Sequence, residues 1–122
     1  MTRPLGFLGG LFGGLAVVAG AFGAHGLKGR LAPDLLAVFE TAARYQMYHG
    51  LALLGVAILL ERRPSAPLSA AGWCFAGGTL VFSGSLYLLA LTGAPWWGAV
   101  TPLGGVALIA GWGLVAYGLW RS

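Results

Sequence analysis

LGFLGGLFGGLAVVAGAFGA, residues 5–24, runs for 20 residues without a charge. A helix needs about 20 apolar residues to cross the hydrocarbon core, so this run is long enough to span a bilayer alone. It exceeds the apolar stretch of about 7–15 residues in a secretory signal, and it reads as a membrane helix although Arg3 precedes it. Its glycines are ordered. Gly6, Gly10 and Gly14 recur every fourth residue, and Ala16, Gly20 and Ala24 continue the pattern. Gly9 and Gly13 repeat it one position away. Small residues at that spacing make a groove that admits another helix backbone. Gly6, Gly10, Gly14 and Gly20 are therefore expected at a packing face, against the rest of a tight bundle or against a second copy.

Three further apolar runs follow: Tyr45–Leu60, Leu68–Thr92 and Gly98–Trp120. The last carries its own small-residue stripe, including Gly104 and Gly111. The second run is short, but its helix has an earlier start in APDLLAVFETAARYQMYHG. Pro33 suits a first helical position, and Asp34 suits the positive end of the helix dipole. A continuous helix from Pro33 to Leu60 would be about 42 Å long. The alternative is an interfacial helix followed by a bend. The connections are short: a glycine-containing stretch at 25–33, ERRPSAP at 61–67, and GAPWW at 93–97. The pattern predicts an all-α, integral membrane bundle of four transmembrane helices, with spans 5–24, 33–60, 68–92 and 98–120 in a single domain over 1–122.

Composition supports this reading. Of 122 residues, 58% are hydrophobic and 8% charged, against about 25% charged in an average soluble domain. Apolar side chains facing lipid remove the need for a charged surface. The net charge of +4 is no nucleic-acid footprint, because the basic residues sit at the edges of apolar runs. Membrane lipid is the expected partner and nucleic acid is not; a homo-oligomer or a larger membrane complex stays open. Arg3, Arg62, Arg63 and Arg121 fall on one side, against Lys28 and Arg30 and the more deeply placed Arg44. This asymmetry predicts both termini in the cytoplasm. Trp96 and Trp97 mark one interface and Trp120 the other. The single cysteine, Cys74, excludes an intrachain disulfide.

The unusual residues lie between His25 and Gly50. On a helix, Glu40, Arg44 and Tyr48 form one row, with Thr41, Tyr45 and His49 beside it, while Gln46 lies off both. Ionisable groups near hydrocarbon usually face protein or water. His25, Glu40, Arg44, Tyr45, Tyr48 and His49 are therefore the candidate ligand-binding or structural polar face. The alternative is an interfacial face that anchors helix two. Two histidines can ligate a metal or haem iron, but structural metals usually require four ligands. A helix from Pro33 also places His49 about 24 Å along its axis and Glu40 about 11 Å. His25, at the loop end, is then closer in depth to Glu40 than to His49. No metal or cofactor is expected. Ser83, Ser85 and Tyr87 are expected to bond to backbone or neighbouring helices. Paired inward carboxylates, a nucleophile elbow and a phosphate loop are all missing, and no catalytic residue is predicted.

GAFGAHGLKGRL, ETAARYQMYHGLALL, FSGSLYLLALTG and WWGAVTPLGG, taken together, resemble a family of small bacterial membrane proteins typified by YgdD and YwdK. Small mitochondrial tetraspan proteins are its eukaryotic relatives. The likeness covers about Leu5 to Tyr117. It implies a four-helix inner-membrane protein and carries no activity, because the family is of unknown function. Three classes of function remain from the residues: a noncatalytic accessory or scaffold that binds lipid or a larger complex, a small-molecule binder or transporter using the polar face of helix two, and a quinone- or haem-holding redox accessory.

Overall fold

The computed structural model describes residues 2–121. Four helices follow one another: α1 (Thr2–Phe22), α2 (Pro33–Arg62), α3 (Ala66–Thr92) and α4 (Trp97–Arg121). A short π-helical turn, Gly23–Leu27, prolongs α1 and buries Gly23 and Leu27. Gly29 then turns the chain with φ 85°, a left-handed conformation that glycine adopts without a Cβ clash. Pro33 opens α2. Ser65 caps α3 by accepting a hydrogen bond from the Leu68 amide at 3.4 Å. Gly93, at φ 70°, closes α3 in the left-handed cap geometry. The helices extend the expected spans by a residue or more at most ends.

Three segments are long and apolar enough to cross a membrane by themselves: Thr2–Leu27, Ala66–Thr92 and Trp97–Arg121. α2 is the exception in composition, not in length. It is one unbroken helix of 30 residues, about 45 Å long, which removes the bent alternative. It runs antiparallel to α1 and α3 and packs against both, so it crosses the bilayer with them. Its hydropathy is diluted by polar residues such as Gln46 and His49, which are buried against neighbouring helices.

The packing order follows the chain order. α1 packs on α2, α2 on α3 and α3 on α4, while α1 and α4 share no extensive seam. Two glycine crossings close the hairpins. Between α1 and α2, a Cβ on Gly9 would sit 2.8 Å from the Gly50 carbonyl oxygen, and one on Gly50 would sit 3.0 Å from the Gly13 amide nitrogen. Between α3 and α4, a Cβ on Gly104 would lie 2.8 Å from Phe82 Cα and 2.9 Å from the Gly78 oxygen. Gly111 receives the edge of Phe75, whose Cε1 would lie 2.7 Å from an added Cβ. Leu5, Leu53, Leu68 and Phe75 fill the centre of the core.

The small-residue face of α1 needs a correction. A Cβ on Gly10, Gly14 or Gly20 would meet nothing within 4 Å, and one on Gly6 would make only ordinary contact with Ala57 at 3.5 Å. The crossing uses the adjacent row, Gly9 and Gly13. α2 meets α1 through Gly50, and that backbone contact selects the row buried between them. Gly10, Gly14 and Gly20 thus leave an open surface. Gly104→Leu should lower the stability of the detergent-solubilised protein by about 1–3 kcal/mol through overpacking. Gly10→Leu should leave it close to the parent. Equilibrium unfolding curves of the two variants decide this, and the reverse order would reject the assignment.

Candidate functional site

The six polar candidates do not form one face. α2 is one continuous helix, and its side chains diverge by about 100° per residue, so neighbouring rows meet different helices. His25 lies exposed in the turn after α1. Its neighbour Gly23 touches Phe39, with Cδ1 3.0 Å from an added Cβ, and His49 is ten residues deeper than Phe39, or about 15 Å along the axis. The two histidines therefore occupy separate levels. Glu40 and Arg44 are exposed and line a shallow groove with Ala16, Gly20, Ala43 and Met47. Arg44 donates to Thr41 Oγ1 at 3.1 Å, and Thr41 donates in turn to the Ala37 carbonyl at 3.0 Å.

Tyr45, Tyr48 and His49 turn the other way, toward α4. They line a cleft of about 530 Å³ between α2 and α4, floored by Phe82 of α3 and walled by Gly105, Leu108, Ile109 and Trp112. Aromatic rings dominate it. Tyr45 and Phe82 have ring centroids 4.8 Å apart, and Phe75 and Trp112 lie 4.9 Å apart just behind. The cleft opens sideways, because Tyr48 is 51% exposed and Ile109 73%.

His49 is buried, at 4% exposure. Its Nδ1 is 2.7 Å from the Tyr45 carbonyl oxygen, and its Nε2 is 3.1 Å from Trp112 Nε1. A carbonyl can only accept and an indole N–H can only donate. The ring is therefore the neutral tautomer with its proton on Nδ1, donating to Tyr45 and accepting from Trp112. Both nitrogens are engaged, so neither lone pair is available to a metal. Among the described residues, no group of three or more His, Cys, Asp or Glu side chains is placed to hold a metal ion.

On the opposite face, Gln46 joins three helices. Its Nε2 donates to the Phe12 carbonyl of α1 at 2.9 Å, and its Oε1 accepts from the Tyr87 hydroxyl of α3 at 2.7 Å. Ser83 of α3 donates to the Ala42 carbonyl of α2 at 2.8 Å. Ser85 and Thr101 pair their hydroxyls across α3 and α4 at 2.5 Å. Gln46, Thr79, Ser83 and Tyr87 border a cavity of about 170 Å³ together with Phe12 and Leu15. Thr79 Oγ1 is buried without a partner among the described residues.

The rows of helix two passed over Gln46 and left Trp112 unnamed. Both had a signal. A lone amide inside an apolar run needs partners on neighbouring helices. An indole far from either end of α4 cannot reach the headgroups, so its N–H requires an internal acceptor.

A family described as "Protein of unknown function (DUF423)" matches residues 19–105. The chain belongs to this family. It is 46% identical to UPF0382 membrane protein SSP2132 of Staphylococcus saprophyticus over 93% of this chain and 94% of that one. It is 48% identical to UPF0382 membrane protein YwdK of Bacillus subtilis over 80% of each. UPF0382 inner membrane protein YgdD of Escherichia coli K12 is 42% identical over 89% of this chain and 83% of its own. No solved structure matches. The DUF423 chain is thus a helical membrane protein of unknown function, in keeping with the likeness seen in its sequence. The DUF423 match itself covers the Gln46 and His49 bonding partners on α2 and α3, and it ends before Trp112.

Gln46→Leu would leave the Tyr87 hydroxyl and the Phe12 carbonyl facing an apolar side chain. It should cost about 1–3 kcal/mol, the penalty for stranding buried polar groups. Thr79→Val keeps the shape and removes an unpartnered hydroxyl, so stability should hold or rise. Unfolding of both variants in one detergent tests the pair; loss in Thr79→Val alone would overturn the assignment of these bonds.

Proposed function

We propose that this chain is a noncatalytic accessory protein of the inner membrane, binding lipid or a larger membrane complex through its lateral faces. One observation carries the reading: among the described residues, the buried polar side chains other than Thr79 hold helices together. His49 joins α2 to α4, Gln46 joins α2 to α1 and α3, and Ser83 joins α3 to α2. Side chains engaged on both sides offer no nucleophile or base to a substrate. The surface left for interaction is apolar. Phe7, Val18, Leu103, Val106 and Ile109 project from α1 and α4. With no α1–α4 seam, these helices keep broad faces for acyl chains or for another membrane protein. The name of the relative YgdD, an inner membrane protein, supports the location.

The same reading includes an orientation. Arg3, Arg62, Arg63 and Arg121 lie at the helix ends shared by the termini and the α2–α3 connection. Lys28 and Arg30 lie in the α1–α2 connection. The excess favours a cytoplasmic side for both termini. A fluorescent reporter that matures only in the cytoplasm, fused after Ser122, should be bright; activity of a periplasmic reporter at that site would reverse the topology. Native mass spectrometry from mild detergent should find retained phospholipid or a co-purifying membrane protein. A bare chain with neither, together with turnover of any added substrate, would overturn the accessory reading.

A further inference from the structure

The aromatic cleft between α2 and α4 differs from the other lateral surfaces in chemistry. Its depth follows from α2. Tyr48 lies about 22 Å along a helix of about 45 Å, and therefore close to mid-bilayer. Tyr45 is one turn nearer the end. Among the described residues, neither phenol hydroxyl has a hydrogen-bond partner. In water this would mean nothing, but hydrocarbon supplies no acceptor, and a polar group there is costly without one. Ser83 and Gln46 on the neighbouring faces are bonded to other helices. Thr79 is also unpartnered, beside a cavity of about 170 Å³, whereas the two tyrosines line the cleft of about 530 Å³ that opens sideways.

From these observations we propose that the cleft binds a neutral, membrane-soluble molecule with a flat conjugated ring and a carbonyl acceptor, on an apolar tail: a quinone-type lipid. The proposal deepens the lipid-binding reading above and rests on it. Each part of the ligand answers a feature of the cleft. The ring matches walls built from Tyr45, Phe82 and Trp112, since aromatic faces favour offset or edge packing against another ring. The carbonyl matches the phenol donors. Neutrality follows from the lining, where the one ionisable group besides the tyrosines is His49, already bonded at both nitrogens. A phosphate headgroup would find no cation there. The tail follows from the side opening, past Tyr48 and Ile109, which joins the cleft to the acyl-chain region. The inference concerns binding and positioning only, with no electron transfer.

Gly105 allows a direct test. It lines the cleft, and an added Cβ would make ordinary contact with Phe82 at 3.7 Å. Gly105→Leu should therefore fold and fill the space. The full chain in phospholipid nanodiscs would be titrated with a decyl-chain benzoquinone, read by calorimetry and by quenching of tryptophan fluorescence. Saturable binding of about one quinone per chain is expected, weakened roughly three- to tenfold in Tyr48→Phe, which loses one donor. In Gly105→Leu it should fall more than tenfold with an unchanged unfolding midpoint. Decyl alcohol, with the same tail and no ring, should not compete. Non-saturable quenching, equal affinity in Gly105→Leu, or full competition by the alcohol would each overturn the proposal. Phospholipid retained in mass spectrometry alongside any of those results would leave the lipid-binding reading standing, so the two failures are distinguishable.

Discussion

The structure depends on how α2 crosses hydrocarbon while carrying an amide and an imidazole. Water is absent there, so each polar atom must find a partner within the protein. Gln46 finds them on α1 and α3, and His49 finds one on its own helix and one on α4. These bonds are directional. They fix the rotation of α2 about its axis and its depth relative to all three other helices. Apolar contact could not do this alone, because lipid tails solvate a leucine as well as another leucine does.

The glycine crossings act at the same level and complement those bonds. Gly9 and Gly50 bring the backbones of α1 and α2 close enough for a glutamine side chain to reach the Phe12 carbonyl. Gly78 and Gly104 do the equivalent for α3 and α4, near the Ser85–Thr101 pair. Each hairpin is thus tight and internally bonded. The seam between hairpins, α2 on α3, relies more on large side chains such as Leu53, Phe75 and Phe82. Bulk at that seam holds α4 away from α2. The result is a lateral cleft bridged at its back by the His49–Trp112 bond.

Most of the fold was legible because its signals are one-dimensional. Uncharged runs of about 20 residues measure a bilayer directly, and Pro33, Gly29 and Gly93 punctuate them. Helix rotation was less legible. Two rows on α1, Gly6–Gly10–Gly14 and Gly9–Gly13, have the same spacing, and only the position of Gly50 on the partner decides between them. The polar face failed for a related reason. Rows drawn on one helix assume one neighbour, whereas α2 has three. Glu40 and Arg44 consequently look outward near the α1 side, and Tyr45, Tyr48 and His49 look toward α4. The relative depth of His25 and His49 was legible, since it needs only the rise per residue.

The segment YQMYHG, Tyr45–Gly50, concentrates these requirements into six residues. Gln46 points to α1 and α3, His49 to α4, and Gly50 admits the α1 backbone. Tyr45 supplies through its carbonyl the acceptor that sets the His49 tautomer, and through its ring a wall of the cleft. Polar residues in a membrane helix are commonly taken as marks of function. Here Gln46 and His49 have a structural duty, bonding α2 to its neighbours. The residues left over are the informative ones. Subtracting the bonded groups from the polar inventory of the segment leaves the hydroxyls of Tyr45 and Tyr48, two residues that line the lateral cleft. That remainder, more than the histidine itself, is what the bonding between helices leaves unused.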